Sequence, residues 1–292
     1  MATVNRRIID AHHHVWDLGA RPQPWIKGEA LAPLARSFSA ADLTAQARAA
    51  GVTGTVVVQT VCVPEETPEL LALAAGSDLV AGVVGWTDLT APDVADTIAA
   101  LRERPGGDRL VGIRHQVQEE PDPSWLLRPD VRRGLSAVAA AGLVYDLVVT
   151  PGQLAAAADA AARLTGLTFV LDHLGKPPIA TGELEPWGAD LRRLAALPNT
   201  VAKLSGLVTE AAPGNWRTED LRPCADIALD AFGPQRLMFG SDWPVCTLRA
   251  DYTSVLGIAD RLTESLGPGE KDAVFHRNAL RVYGLTDFGP PG

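Results

Sequence analysis

The sequence predicts an α/β chain folded as one (β/α)8 TIM barrel, and three observations carry that expectation. Eight short, nearly continuous apolar runs recur along the 292 residues, each bounded by Gly, Pro or a charge. Runs of that kind read as strands buried on both faces, as parallel sheets require. The stretches between them carry helical patterns with recognisable ends, and strand–helix alternation places helices outside a parallel sheet. No GxGxxG follows the first run, which argues against a doubly wound open sheet.

The first run, 8–14 (IIDAHHH), opens on β-branched residues and ends in imidazoles. Alternation along a strand puts His12 and His14 on one face and His13 on the other. Two neutral imidazoles on one side of a strand end can hold a divalent cation or polarise a carbonyl. Segment 18–37 contains Pro22, Pro24 and Pro33 and has no period, so it is expected to be a loop over one barrel mouth, anchored by Trp25. Ser39 caps a helix over 40–50 that Gly51 stops. Runs 55–60 (TVVVQT), 80–86 (VAGVVGW) and 110–115 (LVGIRH) give the next three strands. Pro129 opens a helix over 130–141, and run 143–149 follows. Pro151 opens a helix over 153–164 closed by Gly166, ahead of runs 167–173 and 201–207. A helix from 218 to 232 ends at Gly233-Pro234. The last strand, 237–243, is followed by a final helix over 271–283. Nothing marks a linker, so residues 1–292 are expected to form one domain.

Composition narrows the partners. Net charge is −9 with no dense Lys/Arg cluster, which argues against nucleic acid and anionic membranes. No stretch is apolar for the ~18 residues of a membrane span, and no secretion signal is read at the start. Cys62, Cys224 and Cys246 lie far apart without a CxxC, as expected of reduced thiols in a cytoplasmic protein. The oligomeric state has no signature in the sequence.

In such a barrel the chemistry sits at the C-terminal strand ends. Polar residues gather there: His12 and His14, Gln59, Arg114-His115, Asp146, Asp172-His173 with Lys176 beyond, Lys203 and Ser205, and Ser241-Asp242. Each alone has a structural explanation. Lys203 can pair Asp146, Asp172 can cap a turn, and His115 can be a satisfied core histidine. Together they would load one end of a core with buried polar groups, at a cost in stability. The joint reading is an active site.

The segments IDAHHHVW, VVGWTDL, GIRHQVQ, LDHLGKPP, KLSGLVTEA and RLMFGSDWPVC, spread over residues 8–283, resemble one family segment by segment. It is the sugar-acid lactonase branch of the amidohydrolase superfamily, whose members hydrolyse L-fuconolactone, L-rhamnonolactone and related pyrone lactones. The resemblance implies a (β/α)8 barrel that hydrolyses a sugar-acid lactone to the open acid. It implies Asp242 as the base that takes a proton from water, with His12, His14 and His173 around the reacting carbonyl or a metal. Binuclear members of the wider superfamily have a bridging Lys or Glu on strand 4 and a His on strand 5. Arg114-His115 and Tyr145-Asp146 stand there instead, so a second metal lacks its usual ligands.

Lactone hydrolysis needs a deprotonated water, a stabilised oxyanion and a proton for the departing alkoxide. Candidate oxyanion stabilisers are Arg114, His115, His173, Lys203 and a cation on His12 and His14. Arg114, Lys176, Lys203 and Gln59 are candidate substrate contacts, and Trp16, Trp86 and Trp243, each at a strand end, suit the face of a sugar ring. His12, His14 and Asp242 make a three-ligand site for one divalent ion, Zn²⁺ by donor type; the alternative is no metal, with imidazoles polarising the carbonyl. No GxSxG elbow is present. A metal-dependent decarboxylase or a deaminase would want a strand-5 His. A carbohydrate-binding barrel would explain the Trp, Arg and Lys but not a base beside a His cluster.

Overall fold

The computed structural model describes residues 6–214 and 216–286. Eight strands form one sheet in sequence order: β1 (Ile8–His13), β2 (Val52–Val58), β3 (Val80–Gly85), β4 (Leu110–His115), β5 (Val144–Leu147), β6 (Phe169–Leu171), β7 (Thr200–Leu204) and β8 (Leu237–Phe239). Every neighbouring pair is parallel. The sheet closes just past the end of β8, where Asp242 N–H donates to His12 O at 2.8 Å and His14 N–H donates to Trp243 O at 2.7 Å. The result is a TIM barrel with helices between its strands.

The helices are α1 (Ala40–Ala49), α2 (Glu66–Ala75), α3 (Val94–Arg102), α4 (Pro129–Ala140), α5 (Leu154–Arg163), α6 (Trp187–Ala195), a short α7 (Leu207–Glu210), α8 (Thr218–Phe232) and α9 (Tyr252–Leu262). Ser39 and Asp42 form a capping box on α1, as a serine just ahead of the apolar pattern predicts. The final helix begins at Pro268, earlier than its apolar pattern shows, and is interrupted by a π-turn over Ala273–Arg277. Among the described residues no helix is long and apolar enough to cross a membrane.

Two apolar layers hold the barrel. Ile9, Ala11, Val56, Val58, Val84, Val144, Val170, Val201 and Met238 pack together with Ala279 and Tyr283 of the last helix, and fill the interior. The larger layer joins the outer strand faces to the helices. Several apolar runs outlast the ladder they announce: β6 stops at Leu171 and β8 at Phe239, although their runs continue to 173 and 243. The continuation is buried loop, and it carries the polar groups described next.

Candidate active site

Each site residue is placed by a local backbone feature. On β1, His13 faces outward and shares a 3.0 Å hydrogen bond with Thr55 Oγ1, while His12 and His14 face each other with their Nε2 atoms 3.1 Å apart. After β6 the chain makes a left-handed turn: His173 (φ 53°), Leu174 (51°), Gly175 (71°) and Lys176 (55°). For each non-glycine residue that conformation costs about 1–2 kcal/mol. Burial of Leu174 and a 2.8 Å hydrogen bond from Trp187 Nε1–H to Leu174 O hold it in place. The turn lays the His173 ring across the mouth, its centroid 4.5 Å from that of His12. Gly206, itself at φ 66°, makes the space, since a Cβ there would sit 2.5 Å from His173 Nδ1. Asp242, at φ 57°, is a fourth strained position. Asp10 fixes its turn by accepting from Ser241 N–H (2.8 Å), Ser241 Oγ–H (2.6 Å) and Tyr252 O–H (3.0 Å).

These features bring three imidazoles around one carboxylate. Asp242 Oδ1 lies 3.6 Å from His14 Nε2, 3.8 Å from His12 Nε2 and 3.9 Å from His173 Nε2, and all four side chains are nearly or fully buried. The resemblance sets His173 beside His12 and His14, although β6 lies well round the barrel from β1; the left-handed turn is what brings it in. Burial would raise the Asp242 carboxyl, but His173, His14 and Lys176 outweigh it and hold it below the usual carboxylate range. Burial pushes His173 down to about 4 and His12 well below the ordinary imidazole value, so both rings are neutral.

The outer ring nitrogens are committed elsewhere. His14 Nδ1–H donates to Val58 O at 2.8 Å, and His173 Nδ1 shares a 2.9 Å bond with Ser205 Oγ. His12 Nδ1 lies 3.2 Å from Asp172 Oδ1 and 3.0 Å from Lys203 Nζ; it can donate to the first or accept from the second. With His12 donating to Asp172, the His12 and His14 Nε2 lone pairs face each other at 3.1 Å, an arrangement that a cation between them stabilises. His12, His173 and Asp242 each offer a ligand atom within 4.8 Å of one another, and with His14 beside them the donors fit a divalent metal.

A second set of charges surrounds Asp172. Lys203, fully buried, reaches Asp146 Oδ2 at 2.5 Å and Asp172 Oδ1 at 2.9 Å, and Arg114 reaches Asp172 Oδ2 at 2.9 Å. Tyr283 O–H donates to Asp146 at 3.0 Å. Burial pushes Asp146 up to about 6 against the pull of Lys203. Burial also acts to raise Asp172, but Lys203, His12 and Arg114 prevail and hold it well below the usual range. Arg114 gives its other amine to Gln59 O at 2.5 Å, leaving Nε as a buried N–H with no partner among the described residues.

A cavity of 330 Å³ opens onto the imidazole–carboxylate cluster. His14, His173, Asp242, Arg114 and Lys176 line it, as do Trp25, Ala30 and Leu31 from segment 18–37. Trp16, Trp86, His115, Gln59, Lys203 and Trp243, all singled out from the sequence, lie outside that lining. Trp16 Nε1–H donates to Arg36 O, and the ring packs on Trp25 and Phe38, tying the segment down. Trp86 Nε1–H donates to His115 Nδ1 at 3.0 Å; His115 stacks on Trp125 and bonds Glu120, so both rings serve that cluster. Gln59 braces Arg114 O, and Lys203 is spent on its carboxylates. Trp243, 2% exposed, is core. Sequence reasoning passed over Glu210, Arg249 and Gln118 in the cavity lining; Gln118 and Glu210 fall in segments the resemblance flags, Arg249 in none.

The amidohydrolase family model matches residues 9–285. The chain belongs to the amidohydrolase family. This amidohydrolase is 42% identical to an L-fucono-1,5-lactonase of Burkholderia multivorans, over 96% of each chain. It is 38% identical to an L-fucono-1,5-lactonase of Burkholderia ambifaria, over 94% of each. A crystal structure of a Burkholderia multivorans amidohydrolase with bound zinc superposes with a TM-score of 0.91 at 41% identity, covering 96% of this chain and 99% of that one.

Proposed function

We propose that this amidohydrolase opens sugar-acid lactones of the L-fucono-1,5-lactone class, with Asp242 as the base that activates water. The observation that carries the reading is Asp242 Oδ1 set within 3.6–3.9 Å of three imidazoles beside a lactone-sized cavity. Similarity to two L-fucono-1,5-lactonases supplies the substrate class.

Because its neighbours keep it ionised, the Asp242 carboxylate accepts a proton from a water held against the cluster. The oxygen of that water attacks the lactone carbonyl, and charge develops on the carbonyl oxygen. Arg114 lines the cavity and keeps an Nε–H without a partner among the described residues, which supports it as the donor to that oxygen. Lys203 and Asp172 orient His12 and stay out of contact with substrate. Trp25 offers the sugar a flat apolar face, in the place expected of Trp16 or Trp86. One divalent ion, Zn²⁺ by donor type, would be held by His12, His14, His173 and Asp242, and when bound would polarise the carbonyl and acidify water. The three free cysteines suit a cytoplasmic setting.

A panel of neutral aldonolactones and a carboxylated pyrone lactone, followed by a pH indicator, tests the substrate reading. Turnover of neutral 1,5-lactones is expected; turnover of the carboxylated lactone alone would overturn it. Elemental analysis before and after chelation is expected to find one ion per chain and a rate that falls with its removal. Two tightly held ions, or full activity without any, would contradict that assignment, the latter leaving the imidazoles to polarise the carbonyl.

A further inference from the structure

Opening a lactone leaves the ring oxygen with the electron pair of the broken C–O bond, and an aliphatic alkoxide departs slowly unless a proton meets it. Asp242, read above as the base, is placed among the imidazoles, with Oδ1 3.6–3.9 Å from three of them. A second carboxyl shares its cavity. Glu210 ends α7, the single helical turn after β7, and lines the same cavity as Asp242, His173 and Lys176. It is half-buried, and its carboxylate has no hydrogen-bond donor or ion-pair partner among the described residues. That sets it apart from Asp10, Asp146 and Asp172, whose oxygens are filled.

We propose that Glu210 is the acid of the reaction, delivering its proton to the ring oxygen of the lactone as the C–O bond breaks. The inference rests on the lactonase reading above. The environment agrees with the role: burial and the Asp242 charge push the Glu210 carboxyl up, Lys176 opposes them, and burial prevails. One cavity thus holds two carboxyls in different settings, Asp242 among the imidazoles and Glu210 without a partner among the described residues. In the step, the C–O pair moves onto the ring oxygen, which takes the Glu210 proton and leaves as a hydroxyl. The former carbonyl carbon becomes the product carboxyl. The proton gained by Asp242 from water leaves through solvent as Glu210 regains one, so each turnover consumes one water and returns both groups to their starting states.

The test compares Glu210→Gln with wild type on L-fucono-1,5-lactone and on the same lactone with ring sulfur in place of ring oxygen. A thiol ionises near pH ~8.5, so a thiolate departs without an acid. The variant is isosteric, and an unchanged thermal midpoint certifies its fold. The expected result is a fall in kcat of about 10²-fold or more on the oxygen lactone, with KM within about threefold and a change of less than about threefold on the thiolactone. Equal losses on both substrates, a change in KM alone, or no change would each overturn the proposal. If wild type opens the oxygen lactone and Glu210→Gln matches it, Glu210 fails while the lactonase reading stands; if wild type opens neither substrate, both fall.

Discussion

Where β8 meets β1 and the turn after β6 leans across, three imidazoles turn their Nε2 atoms toward one carboxylate oxygen at 3.6–3.9 Å. On β4, β5 and β7, an equally polar group, Arg114, Asp146 and Lys203, pairs off at 2.5–2.9 Å with Asp172 and Tyr283 nearby. Both sets are buried, and both would read alike as polar strand ends. The difference is where the open valences point. The first set directs them at the cavity; the second directs them at itself, except at Arg114, which lines the cavity and whose Nε–H has no partner among the described residues. Burying polar groups is costly, so the paired set must be satisfied to stand, whereas the open set is stable only as far as the strained turns hold it. One is machinery and the other its frame.

The comparison is broken most severely at Asp242. Asp242→Asn keeps the shape of the side chain, and asparagine tolerates φ 57° as well as aspartate does, so the fold is expected to survive. Lactonase kcat should fall by about 10²–10⁴-fold. Retained activity in the folded variant would remove Asp242 from the chemistry. In the frame, Lys203→Met leaves Asp146 and Asp172 buried without their shared cation, and stability should fall by about 3–5 kcal/mol. Urea unfolding reads that loss, and adding Asp146→Asn should recover part of it. A loss no larger than that of a surface substitution would show that the frame is not held by charge pairing. The smallest effect is expected at His115, whose ring is committed to Trp86, Trp125 and Glu120. His115→Phe should change kcat/KM by less than about threefold while lowering stability by about 1 kcal/mol. A loss of 10²-fold would place the reaction on the wrong side of the mouth.

How far this was legible in the sequence follows from the same contrast. The eight strands announce themselves as apolar runs because parallel strands are buried on both faces. The facing of His12 and His14 follows from alternation, which depends only on the strand. The approach of His173 to the cluster depends on a left-handed turn that three non-glycine residues adopt under tertiary constraint, and no local pattern announces it. Trp16 and Trp86 stand at strand ends as ring platforms should, yet their indole N–H groups have partners away from the cavity. Trp25 and Glu210 face it from a loop and a four-residue helix, where periodicity says nothing about direction. What separates open from paired polar groups is their partners, and partners are fixed only by the closed barrel.

The most direct measurement is a crystal structure of Asp242→Asn with L-fucono-1,5-lactone bound. The account predicts the lactone carbonyl over the His12, His14 and His173 cluster, with Arg114 near the carbonyl oxygen and the ring against Trp25. A lactone seated instead against the Trp86, His115 and Trp125 cluster, with its carbonyl away from residue 242, would contradict it.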